Sequence, residues 1–298
     1  MEDSQSPSQP VPPRISAIVI SYNDATGLRR CLTALEASHG RGEMEIIVMD
    51  NGSQDGSGTM DADFPGVTFM RLPRNFGATK VLNIGMRTGV GDYVFFLTPE
   101  IEVEPGATSL LAAALDANAD AMAVCPALSS AGGHPAGDLW LMPEASALKM
   151  AWRNPDALPR WSAPVTSDPT PVEYAGRVAL MARKFFVRGL NYFDDRYGEF
   201  GPDLELAFQI RRSGKIALLV PAARAIRYPA APLPQSAKQI VTADRANGVA
   251  VFLSKHFGFA AGLLFQIGAA MNALMRFQFG LFMAIASGSK IDGSQSTL

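Results

Sequence analysis

The N-terminal part of the chain alternates two kinds of hydrophobic pattern. Ile15–Ile20, Glu45–Met49, Val67–Leu72 and Tyr93–Leu97 are short, nearly unbroken apolar runs rich in β-branched and aromatic residues, the pattern of strands buried on both faces. Between them, Leu28, Cys31, Leu32 and Leu35 recur at helical spacing in a stretch from Thr26 to about Ser38, and a second helical stretch runs from about Ala78 to Arg87. Strands separated by helices predict an α/β fold, a Rossmann-like, mostly parallel sheet with right-handed crossovers and flanking helices. Such sheets bind ligands beyond the carboxyl ends of their strands. The polar residues collect at those ends: Ser21 to Asp24, Asp50 to Asp55 and Thr98 to Glu104.

The second half is less regular. The pattern predicts a helix over about 106–117, a strand over Ala121–Cys125, strand character from Val172 to Met181, a helix over Asp203–Arg212 and a strand over Ala217–Val220. Residues 129–170 are rich in Pro, Gly, Trp and Ser and predict a long active-site loop or insertion. A helix over about 238–256 leads into an apolar tail. Phe257 to Met275 carries no charged residue, and after Arg276 a further apolar stretch runs to Ala286. That length raises the question of a membrane. Gln266, Asn272, Arg276, Gln278 and the interspersed glycines disfavour a spanning helix. Two readings of the tail stand: a helix lying on a membrane surface, with Arg276 and Lys255 at headgroup level, or helices packed on the rest of the chain or on a second subunit. The chain thus divides into a polar, proline-rich lead-in (1–13), expected to be disordered, an α/β domain (14–230) and a C-terminal helical segment (231–298).

Charge and composition exclude some partners. With 26 Lys and Arg against 28 Asp and Glu, no broad basic field points to nucleic acid. Cys31 and Cys125 lie in apolar runs, as buried thiols of a reducing compartment do, and the three histidines make no zinc pattern. No secretory signal precedes the first strand, so the expected location is cytoplasmic, with the inner membrane face as a peripheral site. No Gly-x-Gly-x-x-Gly follows the first strand, which disfavours a dinucleotide oxidoreductase.

The candidate chemistry lies at the strand ends. Asp50 is placed to accept hydrogen bonds from a nucleotide base or ribose hydroxyl, although Asp50-Asn-Gly-Ser53 is also good turn chemistry. Four blocks in order, Ile18-Val-Ile-Ser-Tyr-Asn23, Ile46 to Ser57, Asn75-Phe-Gly-Ala78 with Asn83 and Gly85, and Gly91 to Leu97, resemble the successive motifs of family 2 glycosyltransferases, in particular the rhamnosyltransferase-like branch. A weaker similarity covers Tyr174-Ala-Gly-Arg177, Phe193-Asp-Asp195 and Asp203-Leu-Glu205.

The resemblance implies a GT-A fold whose nucleotide pocket is lined by Ser21, Asn23, Asp50, Asn75 and Asn83. It also implies an inverting transfer of a hexose or deoxyhexose, rhamnose among them, to a glycan or lipid-linked acceptor. Asp203 would be the general base, although Pro202 stands where the family has Glu, and an Asp in a first helical turn is also ordinary dipole complementation. The family's metal-binding aspartate is replaced by Thr98-Pro-Glu-Ile-Glu102. Glu100 and Glu102 are the candidate ligands for Mg2+ or Mn2+, and would share a face if both lay in a strand. No histidine follows the last strand, where Arg224 and Arg227 could supply positive charge instead. These departures keep a second reading open, a catalytically degenerate nucleotide-sugar-binding or scaffolding subunit.

Overall fold

The computed structural model describes residues 12–142, 167–230 and 235–293. Nearly all of the lead-in and residues 143–166 of the expected loop lie outside the described residues.

The alternation read from the sequence is present as β1 (Ile15–Ser21), α1 (Ala25–Glu36), β2 (Met44–Asp50), β3 (Val67–Arg71), α2 (Gly77–Thr88) and β4 (Tyr93–Leu97). The four strands lie side by side in the order β3-β2-β1-β4, all parallel. Their two-residue period sorts the side chains into two layers. Ala17, Val19, Ile46, Val48, Phe95 and Leu97 face one core, which α1 closes with Leu28, Cys31, Leu32 and Leu35. Ile18, Ile47, Met49, Val94 and Phe96 face the other, which α2 closes with Ala78, Val81, Leu82 and Met86. Both cysteines are free and buried, and burial pushes both thiols up to about 12.

Beyond β4 come β5 (Ile101–Val103), α3 (Ala107–Ala117), β6 (Ala121–Ser130), β7 (Leu139–Trp140), β8 (Thr170–Val172), β9 (Tyr174–Ala175), β10 (Ala179–Arg183), α4 (Lys184–Gly189), α5 (Pro202–Arg212) and β11 (Ile216–Arg227). They extend the sheet as β4-β10-β6-β11-β5, with β8 also on β11 and β10 antiparallel to both neighbours. Three expectations change here. The strand expected at Ala217–Val220 runs to Arg227, because a bulge between Val220 and Arg224 lets it keep pairing with β6. Part of the polar Thr98–Glu104 stretch becomes β5, an antiparallel partner of β11. The single strand expected over Val172–Met181 is three short ones, because Gly176 turns the chain against Asp138. A Cβ on Gly176 would meet the Asp138 carboxylate at 1.7 Å, so only glycine lets them approach so closely.

The C-terminal part forms α6 (Gln235–Phe257), α7 (Phe259–Met275) and α8 (Phe279–Ala286). Ala243, Phe252, Leu253, Phe265, Ala269 and Ala273 from these helices share a third core with Tyr174, Tyr197 and Leu204 of the α/β part. No helix among the described residues is long and apolar enough to cross a membrane.

Candidate active site

One group of candidates gathers at the carboxyl ends of β1 and β2. Ser21 and Asp50 are register partners, and the Asn51 N–H donates to the Ser21 carbonyl at 2.8 Å. The Asp50 carboxylate, 4 % exposed, accepts the Ser53 N–H at 3.0 Å. Asn23, at φ 49, ties the two loops together: its N–H donates to Ser53 Oγ at 2.9 Å, and its Oδ1 accepts the Gln54 N–H at 2.7 Å. The left-handed region is one that Asn tolerates. Asn75 Oδ1 accepts from Asn51 Nδ2 at 2.8 Å and from the Gly77 N–H at 2.9 Å, which fixes the entry to α2. Ser21 Oγ is buried and meets no hydrogen-bond partner among the described residues. An orphaned hydroxyl between two strand ends is a feature that a polar ligand relieves.

Asn83 stands apart from this group. Lying in the middle of α2, it donates through Nδ2 to the Phe193 carbonyl at 2.8 Å and to Asp195 Oδ1 at 3.1 Å, and accepts the Phe193 N–H at 3.0 Å. Its amide is spent on holding the 193–195 segment, next to the Phe96–Phe193 ring contact at 6.1 Å.

Asp203 belongs to a second cluster. Gly201 adopts φ 118, Pro202 takes the first helical position, and Asp203 and Glu205 fill the first turn of α5. A Cβ on Gly201 would lie 2.2 Å from the Tyr197 ring, and the left-handed φ adds strain for any other residue. The Asp203 carboxylate accepts the Leu204 N–H at 3.0 Å and the Tyr174 hydroxyl. Burial raises its pKa; Arg177 opposes that rise and Asp138 adds to it. Burial also keeps the Tyr174 hydroxyl protonated and therefore a donor.

Arg177 follows the Gly176 turn and lies beyond the carboxyl end of β4, since Ala179 pairs with Leu97. Its side chain is 15 % exposed and paired with the Glu199 carboxylate. Burial works against its charge, but Glu199, Asp203 and Glu100 outweigh that cost and keep it protonated. Glu199 Oε2 also accepts the Ala78 N–H at 2.9 Å. A chain of contacts therefore runs from Asn51 and Asn75 through the start of α2 and Glu199 to Arg177, whose charge acts on Asp203. The loop carrying Glu199 is held from behind by Asp244 of α6, which accepts the N–H groups of Glu199 and Phe200 at 3.0 Å each and of Ile291 at 2.6 Å. Burial raises the Asp244 carboxyl to about 6 against those bonds. Asp244→Ala leaves three N–H groups, that of Ile291 buried, without this partner and is expected to cost about 3 kcal/mol, read as a lower urea midpoint.

Glu100 and Glu102 turn to different partners. Glu100 Oε1 lies 3.7 Å from Arg227 Nη2. Glu102 Oε2 lies 3.9 Å from Arg30 Nε, and its carboxylate accepts the Tyr228 hydroxyl, over whose ring the Arg30 guanidinium stacks at 3.5 Å. The shared face required both residues to lie in one strand. However, β5 begins at Ile101, and Glu100 sits in the turn closed by the Ile101 N–H to the Thr98 carbonyl at 3.1 Å. Among the described residues no group of three or more His, Cys, Asp or Glu converges as a cation site. In this structure the two carboxylates therefore face separate cations, Arg227 and Arg30. Arg227 takes the place beside Glu100, whereas Arg224 is exposed.

Asp138, Tyr174, Glu199 and Asp244 carry none of the roles assigned from sequence, and Arg177 entered only as part of a motif. The Tyr174–Arg177 block was visible, but its contacts were not. Asp138 lies in a Gly- and Pro-rich loop without periodicity, and Asp244 looks like one more polar position on a helix.

Residues 16–157 match the model of glycosyl transferase family 2. An uncharacterized glycosyltransferase of Mycobacterium tuberculosis is 34 % identical over 86 residues, 28 % of this chain and 33 % of that protein. The chain thus spans about a third of that relative's length. An N-acetylglucosaminyl-diphospho-decaprenol L-rhamnosyltransferase of the same organism is 23 % identical over 235 residues, 72 % of this chain and 76 % of that protein. Staphylococcus aureus TarS 1–349, solved with UDP-GlcNAc, superposes with TM-score 0.57 at 14 % identity, covering 89 % of this chain and 73 % of that one. The mannosyltransferase PcManGT of Pyrobaculum calidifontis, solved with GDP-Man and Mn2+, gives TM-score 0.52 at 16 % identity, over 93 % and 74 %. The fold is the GT-A-like α/β arrangement expected from the sequence. Over residues 16–157 the chain is thus similar to the family 2 glycosyl transferases.

Proposed function

We propose that the protein is an inverting glycosyltransferase that moves a hexose or deoxyhexose, rhamnose being the first candidate, from a nucleotide sugar to a lipid-linked saccharide. The observation that carries this reading is the placement of Asp203. It is a carboxylate with a raised pKa, held by Tyr174 and Leu204 and under the charge of Arg177, which Glu199 ties to the start of α2. The rhamnosyl donor and lipid-linked acceptor are suggested by the name of the relative that aligns over most of the chain.

Asp50, Ser21 and Asn23 hold the nucleoside. The acceptor oxygen attacks the anomeric carbon while Asp203 takes its proton, a C–O bond forms, and the bond to the diphosphate oxygen breaks with its electron pair leaving on the nucleoside diphosphate. Attack opposite to departure inverts the centre. A carboxylate whose pKa is raised toward the working pH is a better proton acceptor while still ionised. Arg177 and Arg227 supply the positive charge for the departing diphosphate, and no step is assigned to Glu100 or Glu102 as metal ligands.

Steady-state transfer assays with a panel of nucleotide sugars and a short-chain prenyl-diphosphate saccharide test this reading; no turnover and no nucleotide binding would overturn it. The base assignment also fixes a sign. Asp138 pushes the Asp203 pKa up, so Asp138→Asn, which keeps an oxygen for the Trp140 Nε1–H now donating to Oδ1 at 3.0 Å, is expected to lower that pKa. The acid limb of kcat/KM then moves to lower pH, as a pH–rate profile reads; an unmoved limb contradicts the assignment.

A further inference from the structure

We infer that the C-terminal helices form a docking surface for a membrane containing anionic lipid, on which the chain lies rather than spans. Along α7, Phe259, Leu263, Leu264, Ile267, Met271 and Met275 are exposed, Phe259 at 75 % and Leu264 at 70 %. At 100° per residue these six fall within an arc of about 160°. Ala261, Phe265, Ala269 and Ala273, on the remaining part of the helix, are buried in the third core. The exposed face is therefore not a poorly packed core. It continues through the turn after α7 into α8, where Phe277, Phe279 and Met283 are also exposed. Phe277 is 81 % exposed and holds φ 58, a left-handed conformation unfavourable for a bulky side chain. The turn thus presents an aromatic ring to solvent at a conformational cost. A contiguous apolar face of this kind marks an interaction surface.

Charge decides the occupant. From Arg245 to Ile291 the chain contains no Asp or Glu. The cations behind the face are engaged: Lys255 pairs with Asp194 and Glu205, and Lys290 donates to the Asp195 carbonyl. Arg276 is exposed at the tip between Met275 and Phe277. A symmetric contact with a second copy would bring this cation to an apolar face that has no acid to meet it. A bilayer with anionic headgroups satisfies both halves of the surface, taking the Phe, Leu and Met side chains below the headgroups and Arg276 among them. Because the opposite side of α7 is bound to α6, the helix must lie in the plane of the interface. The surface stands on these observations alone, and it gives the lipid-linked acceptor proposed above a place to be met.

Vesicle co-sedimentation of the full chain tests this, with phosphatidylcholine alone and with phosphatidylcholine mixed with phosphatidylglycerol. Wild type is expected to sediment with the anionic vesicles and to release in high salt. Phe259→Glu combined with Phe277→Glu is expected to reduce the partition coefficient at least about tenfold. Arg276→Glu should weaken binding to the anionic vesicles about fivefold and leave neutral vesicles unaffected. Turnover on a water-soluble acceptor, measured in parallel, should be the same in all of them, so a failed docking surface and a failed transferase reading give different results. No sedimentation with either vesicle, unchanged binding by the double variant, or a dimer in light scattering that the double variant dissociates without any vesicle binding would overturn the inference.

Discussion

Asp203→Asn is expected to lower kcat about a thousandfold while leaving nucleotide-sugar affinity within about twofold, as measured by transfer kinetics and titration calorimetry. The substitution keeps an oxygen to accept the Leu204 N–H and the Tyr174 hydroxyl, so the start of α5 has no reason to unfold. What it removes is the ability to take a proton. Loss of turnover with binding retained separates a base from a helix-dipole complement, whose loss at this position would lower stability by about 0.3–1 kcal/mol and leave chemistry intact. Full activity in Asp203→Asn would return the residue to that structural role.

The second large effect concerns the departing diphosphate. Arg177→Gln is expected to lower kcat about a hundredfold, and EDTA is expected to change wild-type turnover by less than about twofold. Arg177 is protonated, lies beyond the end of β4 and is held by a carboxylate that is itself anchored to the start of α2, so its charge is in place before a donor binds. Arg177→Lys keeps the charge but loses the planar fork, and should recover only part of the rate. Glu199 is left without its partner in the Gln variant, which makes an unfolding curve a necessary companion; a folded variant with wild-type kcat would remove Arg177 from this role. Loss of activity in EDTA, restored by Mn2+, would show that Glu100 or Glu102 changes partners to take a metal.

Much of the α/β part was legible in the residues because its strands are buried on both faces. An unbroken run such as Tyr93–Leu97 has few alternatives to a central strand, and Leu28, Cys31, Leu32 and Leu35 place α1 on one side of it. The grouping of Ser21, Asn23, Asp50 and Asn75 at one end of the sheet was also visible, because the polar residues follow directly after apolar runs. The less legible features depend on contacts distant in sequence. The extent of β11 rests on a bulge that pairing with β6 tolerates. The separation of Glu100 from Glu102 rests on a turn one residue before β5. The resemblance places Asn83 in the pocket, while its amide holds a segment 110 residues further along the chain. Arg177 falls inside the strand expected over Val172–Met181, and only the Gly176 turn and Glu199 place it. A glycine beside a loop aspartate is the one signal that could have pointed to Asp138, and it acquires meaning only once the two residues are in contact.

The central claim is a direct displacement on a nucleotide sugar, and the anomeric centre reports it. Proton NMR of the anomeric signal during turnover is expected to show the donor consumed and a glycoside of opposite anomeric configuration formed. A product with retained configuration, or donors left untouched across the panel in the presence of acceptor, would contradict the account.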